Sequence, residues 1–315
     1  MPERSTIEVT YAAHVAAFYH VLTYFDLAGD PWNTHHAAYA KSCDAARAEG
    51  VPSPARSLGA FHARYRAAKG RSALHMLPLV CRGSTAMDEA VAALVAGAAA
   101  PAYLSPLSKR AMAPLADAAG VALVTLTMEL VASERAALAT RLGSPPSDGL
   151  GPHLDQNLLP LLPIVCSEAQ TITVFPCEAL VGRARSLLIS QRQLHVAVAS
   201  APSLRHAFFH VLLEVVRHRT DRILRPFLPD AARTSPDHPR GVQMRQDAAL
   251  TAVYHLFVRK RSDLVEPFSQ WALTQVRDSA RQPKAVVAAL FPWVLVPDEA
   301  QPAIRALIGE PPPLS

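Results

Sequence analysis

Residues 203–224, SLRHAFFHVLLEVVRHRTDRIL, limit what the chain can become more than any other stretch. Leu204, Phe208, Val211, Leu212 and Val215 recur at steps of three and four, which sets them in one stripe of a helix. Phe209, Leu213 and Val216 widen that stripe past a third of the circumference, so the helix must be covered on more than one side. Ser200 or Ser203 can cap its start, with Pro202 near the first turn. Pro226 stops it, and Arg222 and Arg225 sit near the carbonyl end, where cations suit the dipole. A long central helix over about 203–224 is therefore the element around which the rest must pack.

The other face of that helix is polar. His206, His210, Glu214 and His218 follow at steps of four, with Arg217 and Asp221 among them. One reading is a solvated face whose charges pair at helical spacing for a few tenths of a kcal/mol each. The other is a metal site, because two imidazoles one turn apart can present two ligands to zinc. In that reading His206, His210 and Glu214 hold the ion, with His255 or Asp247 as further donors.

Leu213-Glu214-Val215-Val216-Arg217 keeps the frame of HExxH, and His218-Arg219-Thr220-Asp221 follows it like the tail of an H-E-x-x-H-P-x-T-D variant. On these residues the stretch resembles the zincin metallopeptidases, in particular zincin-like bacterial proteins. In that motif two His hold zinc and the Glu serves as general base on the metal-bound water. Leu213 and Arg217 stand at the two His positions. A Leu has no donor atom and an Arg repels a cation. The resemblance thus implies a metallopeptidase-like scaffold with no zinc, no cofactor and no catalytic residue, whose helix and packing persist. It covers only this short part of the 315-residue chain.

Half of the residues are hydrophobic and 18% are charged, so the chain can bury a sizeable core and wholesale disorder is excluded. Twenty-seven Pro against 13 Gly point to many stiff connections between short elements. The formal charge of +5 comes mostly from the part after residue 200, including Arg217, Arg219, Arg222, Arg225 and Arg259-Lys260-Arg261. A nucleic-acid surface would want a denser patch or interleaved aromatics for stacking. Cys43, Cys81, Cys166 and Cys177 form no CxxC, and the amino terminus has no secretory pattern, which fits a reduced, cytoplasmic chain. The longest apolar stretches are too short, or too broken by Pro, to span a bilayer.

Spacing along the chain predicts a helix over 7–28 and a second from Asn33 or Thr34 to about Glu49. Further helices are predicted over 55–69, 84–99 and 107–120. Residues 72–80 fit a strand or a helix end. Residues 121–131, VALVTLTMELV, are rich in β-branched side chains and read as a strand, whose later half fits equally well as a continuation into a helix over 133–142. Gly143–Gly151 is the clearest loop, and a boundary there divides the chain into a mainly helical part, 1–147, and a part, 148–315, with a sheet, the central helix and C-terminal helices. Runs at 161–166, 171–176, 184–190 and 193–200 read as a small antiparallel sheet, with Ser190-Gln191-Arg192 as a hairpin turn. Residues 226–240 read as a loop. Helices follow to about Arg261, from Ser262 or Asp263 to Asp278, over 282–294 and over 302–308, with a frayed PPPLS tail.

The expected class is α+β, predominantly helical. The chain has no GxGxxG, GxxxxGK[ST] or GxSxG, and Glu129, Glu134 and Glu178 form no evident pair. The primary expectation is a non-catalytic protein acting through contacts with another protein. The alternatives are a zinc-dependent hydrolase using His206, His210 and Glu214, and a nucleic-acid-associated protein using the basic C-terminal half.

Overall fold

The computed structural model describes residues 4–27, 30, 32–47, 53–137, 149–199, 203–234, 238–277, 293 and 296–310. In chain order the elements are strand β1 (Thr6–Val9) and helices α1 (Ala13–Thr23), α2 (Ala37–Ala46), α3 (Leu58–Ala67), α4 (Arg71–Met76), α5 (Ser84–Val95), α6 (Pro106–Met112), α7 (Ala118–Ala137), α8 (Leu150–Asn157) and α9 (Leu162–Val165). Strands β2 (Thr171–Pro176), β3 (Ala184–Ser190) and β4 (Gln193–Val198) come next. Helices α10 (Leu204–Leu224), α11 (Asp230–Thr234), α12 (Pro239–Lys260), α13 (Val265–Arg277) and α14 (Gln301–Leu307) complete the described chain. The protein is a predominantly helical α+β structure with one small sheet. It groups into two compact units. One comprises Ile7–Gly151 and Thr171–Ala207; the other comprises Met1–Thr6, Pro152–Gln170 and Phe208–Ser315. The boundary read at 147/148, the helix over 282–294 and the PPPLS tail lie outside the described residues, except for Trp293.

In the first unit the core is built by α1 and α7 with α3 and α4 around them. Phe18, Tyr19, Leu22, Phe25, Phe61 and Leu123 are fully buried. Phe25 stacks flat on Phe61, with centroids 3.8 Å apart and planes within 8°. Residues 121–131 are helical, not a strand. Asp117 caps α7 by accepting the Gly120 N–H at 2.7 Å, and the Thr125 and Thr127 hydroxyls donate back to the carbonyls of Val121 and Leu123. Burial along a helical stripe outweighs the β preference of Val and Thr, whose hydroxyls find partners inside the helix. The predicted first helix also starts late, because Thr6–Val9 is taken by a strand. The cap of α2 is His36, whose ring accepts the Tyr39 N–H, and neither Asn33 nor Thr34 fills that role.

The sheet has the order β1-β2-β4-β3. β2 and β4 are parallel, with Thr173 beside His195 and Phe175 beside Ala197; β3 and β4 are antiparallel. The sheet is therefore mixed, not purely antiparallel. The hairpin falls at Gln191–Arg192, where the pairing expectation placed it, and Gly182 at φ +66° lets the chain turn into β3. β2 and β4 are buried on both faces, so His195 is covered, unlike a residue of the half-covered strand its alternation implies. Residues 161–166 belong to a 3-10 turn and α9, not to a strand. Pro163 sits in the first turn of α9, where its missing N–H costs nothing.

The second unit packs α10 against α12 and α13. Phe208, Phe209, Phe257, Phe268 and Trp271 meet at centroid distances between 5.2 and 6.1 Å. The Pro-rich region after Pro226 contains the short helix α11. No single described helix is long and apolar enough to cross a membrane. Pro106–Leu115 and Ala118–Ala137 are long and apolar enough only as a pair, and they are bent by 99°.

Two glycines of the first unit test this packing in opposite directions. A Cβ on Gly120 would lie 2.6 Å from the Leu115 carbonyl oxygen, whereas one on Gly59 would meet nothing within 4 Å. In urea unfolding, Gly120→Ala is expected to lose about 1–3 kcal/mol through overpacking. Gly59→Ala, in α3, is expected to gain roughly 0.5–1 kcal/mol from reduced backbone freedom in the unfolded chain.

Candidate functional site

The central helix forms over Leu204–Leu224; on its polar face His206, Arg217, His218 and Asp221 are half-buried, whereas His210 and Glu214 are covered. His210 is 5% exposed and Glu214 is 7% exposed. The cover is α13, whose Trp271 meets the His210 ring edge-on at 4.8 Å. Glu214 accepts a hydrogen bond from the Arg217 guanidinium one turn later. Glu214 is thus paired with a side chain of its own helix, three residues on. Leu213 is half-buried. His218 is held neutral by burial and by Arg217 and Arg219, its pKa pushed down to about 3. Asp221 pairs with Arg245 of α12. His206 lies in the first turn of α10, which groups with the first unit, whereas His210 and Glu214 group with the second. Burial and Arg205 also lower the His206 pKa.

The further candidate donors are engaged elsewhere. Asp247 accepts the Gln243 amide at 2.6 Å. His255 stacks on Trp293 at 4.8 Å and 18°, with Nδ1 3.8 Å from a Glu310 carboxylate oxygen. Among the described residues, no three His, Cys, Asp or Glu side chains gather in an arrangement that could hold a metal ion.

A different polar centre lies in the first unit, and residue spacing does not reveal it. Glu134 of α7 is buried among α1 and α2. The His20 Nε2–H donates to its Oε2 at 2.8 Å, and Arg47 grips both carboxylate oxygens at 2.6 Å. Arg47 also donates to the Tyr24 hydroxyl at 3.0 Å, and Tyr24 donates to Asp44 at 3.3 Å. On its other side His20 Nδ1 lies 3.1 Å from the Tyr39 hydroxyl. With Nε2–H donating, Nδ1 accepts from Tyr39, so a neutral imidazole satisfies both bonds. Burial alone would raise the Glu134 pKa. The hydrogen bonds of His20 and Arg47, with the Arg47 charge, outweigh it and hold the carboxyl below its ordinary value. The only sequence signal was a lone acid in an apolar helix, with His20 and Tyr24 one turn apart on a buried one.

At the surface of the same unit, Val95–Tyr103, VAGAAAPAY, carries no charge. α5 ends in a Schellman motif: Gly97 takes φ +63°, with its N–H on Leu94 O and the Ala98 N–H on Ala93 O. The chain then runs exposed, with Val95 at 43% and Tyr103 at 53%, while the Tyr103 hydroxyl donates to Ala86 O at 2.7 Å.

A scan against protein-family models, a search of curated proteins and a search of solved structures each find no match.

Two desolvated imidazoles, the buried His195 and the half-buried His218, set an acid limit on the fold. His195 donates to the Leu79 carbonyl at 2.8 Å, and burial lowers its pKa to about 4, as it lowers that of His218 to about 3. The unfolded chain binds these protons near pH 6.5, so stability is expected to fall as pH drops below that value and to level only beneath the folded values. Proton NMR should show the C2–H signals of both residues unmoved between pH 8 and 5. A midpoint near 6.5 for either would contradict its desolvation.

Proposed function

We propose that this is a non-catalytic protein that works through contacts with another protein. The observation that carries this reading is the uncharged, exposed run Val95–Tyr103. Solvent-facing apolar surface is costly unless a partner covers it, and contiguous patches of this kind mark interaction sites. An aromatic at one end, Tyr103, suits the centre of an interface, where Tyr is enriched. The pairing of Glu214 with Arg217 supports the non-catalytic part. A carboxylate tied to a guanidinium in the frame of HExxH is poorly placed to take a proton from a metal-bound water. On this reading the central helix is the remnant of a metallopeptidase-like scaffold without its zinc. The four buried cysteine thiols, none in a disulfide, fit a cytoplasmic home.

A photoreactive phenylalanine analogue in place of Tyr103, irradiated in an extract of the source cells, is expected to give one adduct of defined mass. Val95→Glu with Ala99→Glu should remove it. No adduct, together with a bare monomer by light scattering, overturns the reading. Protein purified without added zinc is expected to carry far less than one equivalent. One equivalent, lost in His206→Ala with His210→Ala, would instead establish the hydrolase alternative.

A further inference from the structure

The clamp around Glu134 holds a helix whose apolar face is narrow. On α2, only Tyr39, Ala40 and Cys43 are buried; Ala37, Ala38, Lys41, Ser42, Asp44, Ala45 and Ala46 are exposed. A helix of 10 residues with so narrow an apolar face gains little from burial. Its attachments include a set of polar ones: Tyr39 to His20, Asp44 to Tyr24, and Arg47, at its end, to Tyr24 and to both oxygens of Glu134. α1 and α7, by contrast, share the apolar core that includes Phe18, Leu22, Leu123 and Val124 and does not need the clamp.

We propose that α2 is a releasable flap on the first unit, docked by the Arg47–Glu134 ion pair and freed when Glu134 loses its charge. Glu134 is met by His20 of α1 and by Arg47, the residue that ends α2; behind them stand Tyr24, which closes α1 and bonds Arg47 and Asp44, Tyr39, which bonds His20, and the Cys43 thiol, whose charge would act on Tyr24. Arg47 is the one full cation among them. Its guanidinium is 5% exposed, so undocking returns a desolvated charge to water while the α1–α7 core stays folded. Because His20 and Arg47 hold the Glu134 carboxyl below its ordinary value, docking persists through the neutral range. It weakens only as pH falls through that lowered value, when the carboxylate takes up a proton. Release uncovers the Tyr39, Ala40 and Cys43 face of α2 together with the Tyr24 and His20 side of α1.

The protein carries its own reporter. Cys43 is fully buried on the docked face of α2, whereas Cys81 and Cys177 are buried elsewhere in the same unit. The full chain would be treated with 4,4′-dithiodipyridine and the labelled thiols located by peptide mass mapping. At pH 7 Cys43 is expected to react about tenfold faster than Cys81 and Cys177, because a local opening suffices for it. Glu134→Gln, and separately Arg47→Met, should raise the Cys43 rate roughly a hundredfold while leaving the other two within about twofold. Lowering the pH of the unaltered protein to the acid range should also favour Cys43 over the other two. Equal acceleration of all three thiols, in the variants and in acid alike, would overturn the proposal by showing that only the whole unit opens. So would an unchanged Cys43 rate. If Glu134→Gln does not fold, Arg47→Met and the unaltered chain in acid decide the matter.

Discussion

Burying the Glu134 carboxylate commits three helices at once. A charge taken out of water must be met by hydrogen bonds and opposite charge, and here α1 supplies His20 and the C-terminal cap of α2 supplies Arg47. The requirement fixes the rotation of α7, because only one face can present residue 134 to both partners. It also fixes α1, since His20 must reach Glu134 through one ring nitrogen and Tyr39 through the other. The apolar packing of Phe18, Leu22, Phe61 and Leu123 supplies the bulk of the burial, but such packing tolerates rotation and substitution. The ion-paired centre does not. The same logic gives the centre a second property: a helix held chiefly by charge is bound as firmly as that charge, and no more.

The second unit solves its polar problem differently. The central helix α10 carries a row of polar residues through an environment lined by Trp271 and the Phe cluster. The row is satisfied mostly within itself or by the nearest helix: Glu214 by Arg217, Asp221 by Arg245. His218, partly desolvated and crowded by two guanidinium groups, stays neutral. A metal-gripping helix needs its donors aimed at one point with their lone pairs unspent. Here they are spread along the helix, and the acid is spent on an arginine. The functional reading therefore rests on surface, in particular on the exposed uncharged run that leaves α5.

Much of the helical skeleton was legible from spacing alone. The central helix begins and ends where its apolar stripe and Pro226 demand, and α3, α5, α12 and α13 lie close to where periodicity puts them. The errors have a common cause. Residues 121–131 look like a strand because Val and Thr are β-branched, yet α7 buries Leu123, Val124 and Thr127 on one stripe and gives the hydroxyls carbonyl partners. Residues 161–166 look like a strand because they are short and apolar, yet two prolines turn them helical. Local preference amounts to tenths of a kcal/mol per residue, and burial in a core overrides it.

By itself, the sequence determined the class, a helix-rich α+β chain, and the identity of its central helix, because a period of three to four residues is a local property. Only the tertiary structure decided that the sheet is mixed, that His210 and Glu214 are covered, and that His20, Arg47 and Glu134 meet. Residues 20 and 134 are 114 positions apart, and no local pattern records such a meeting. The pairing of distant charges depends on which faces are shut off from water, and that is settled only when the helices have packed.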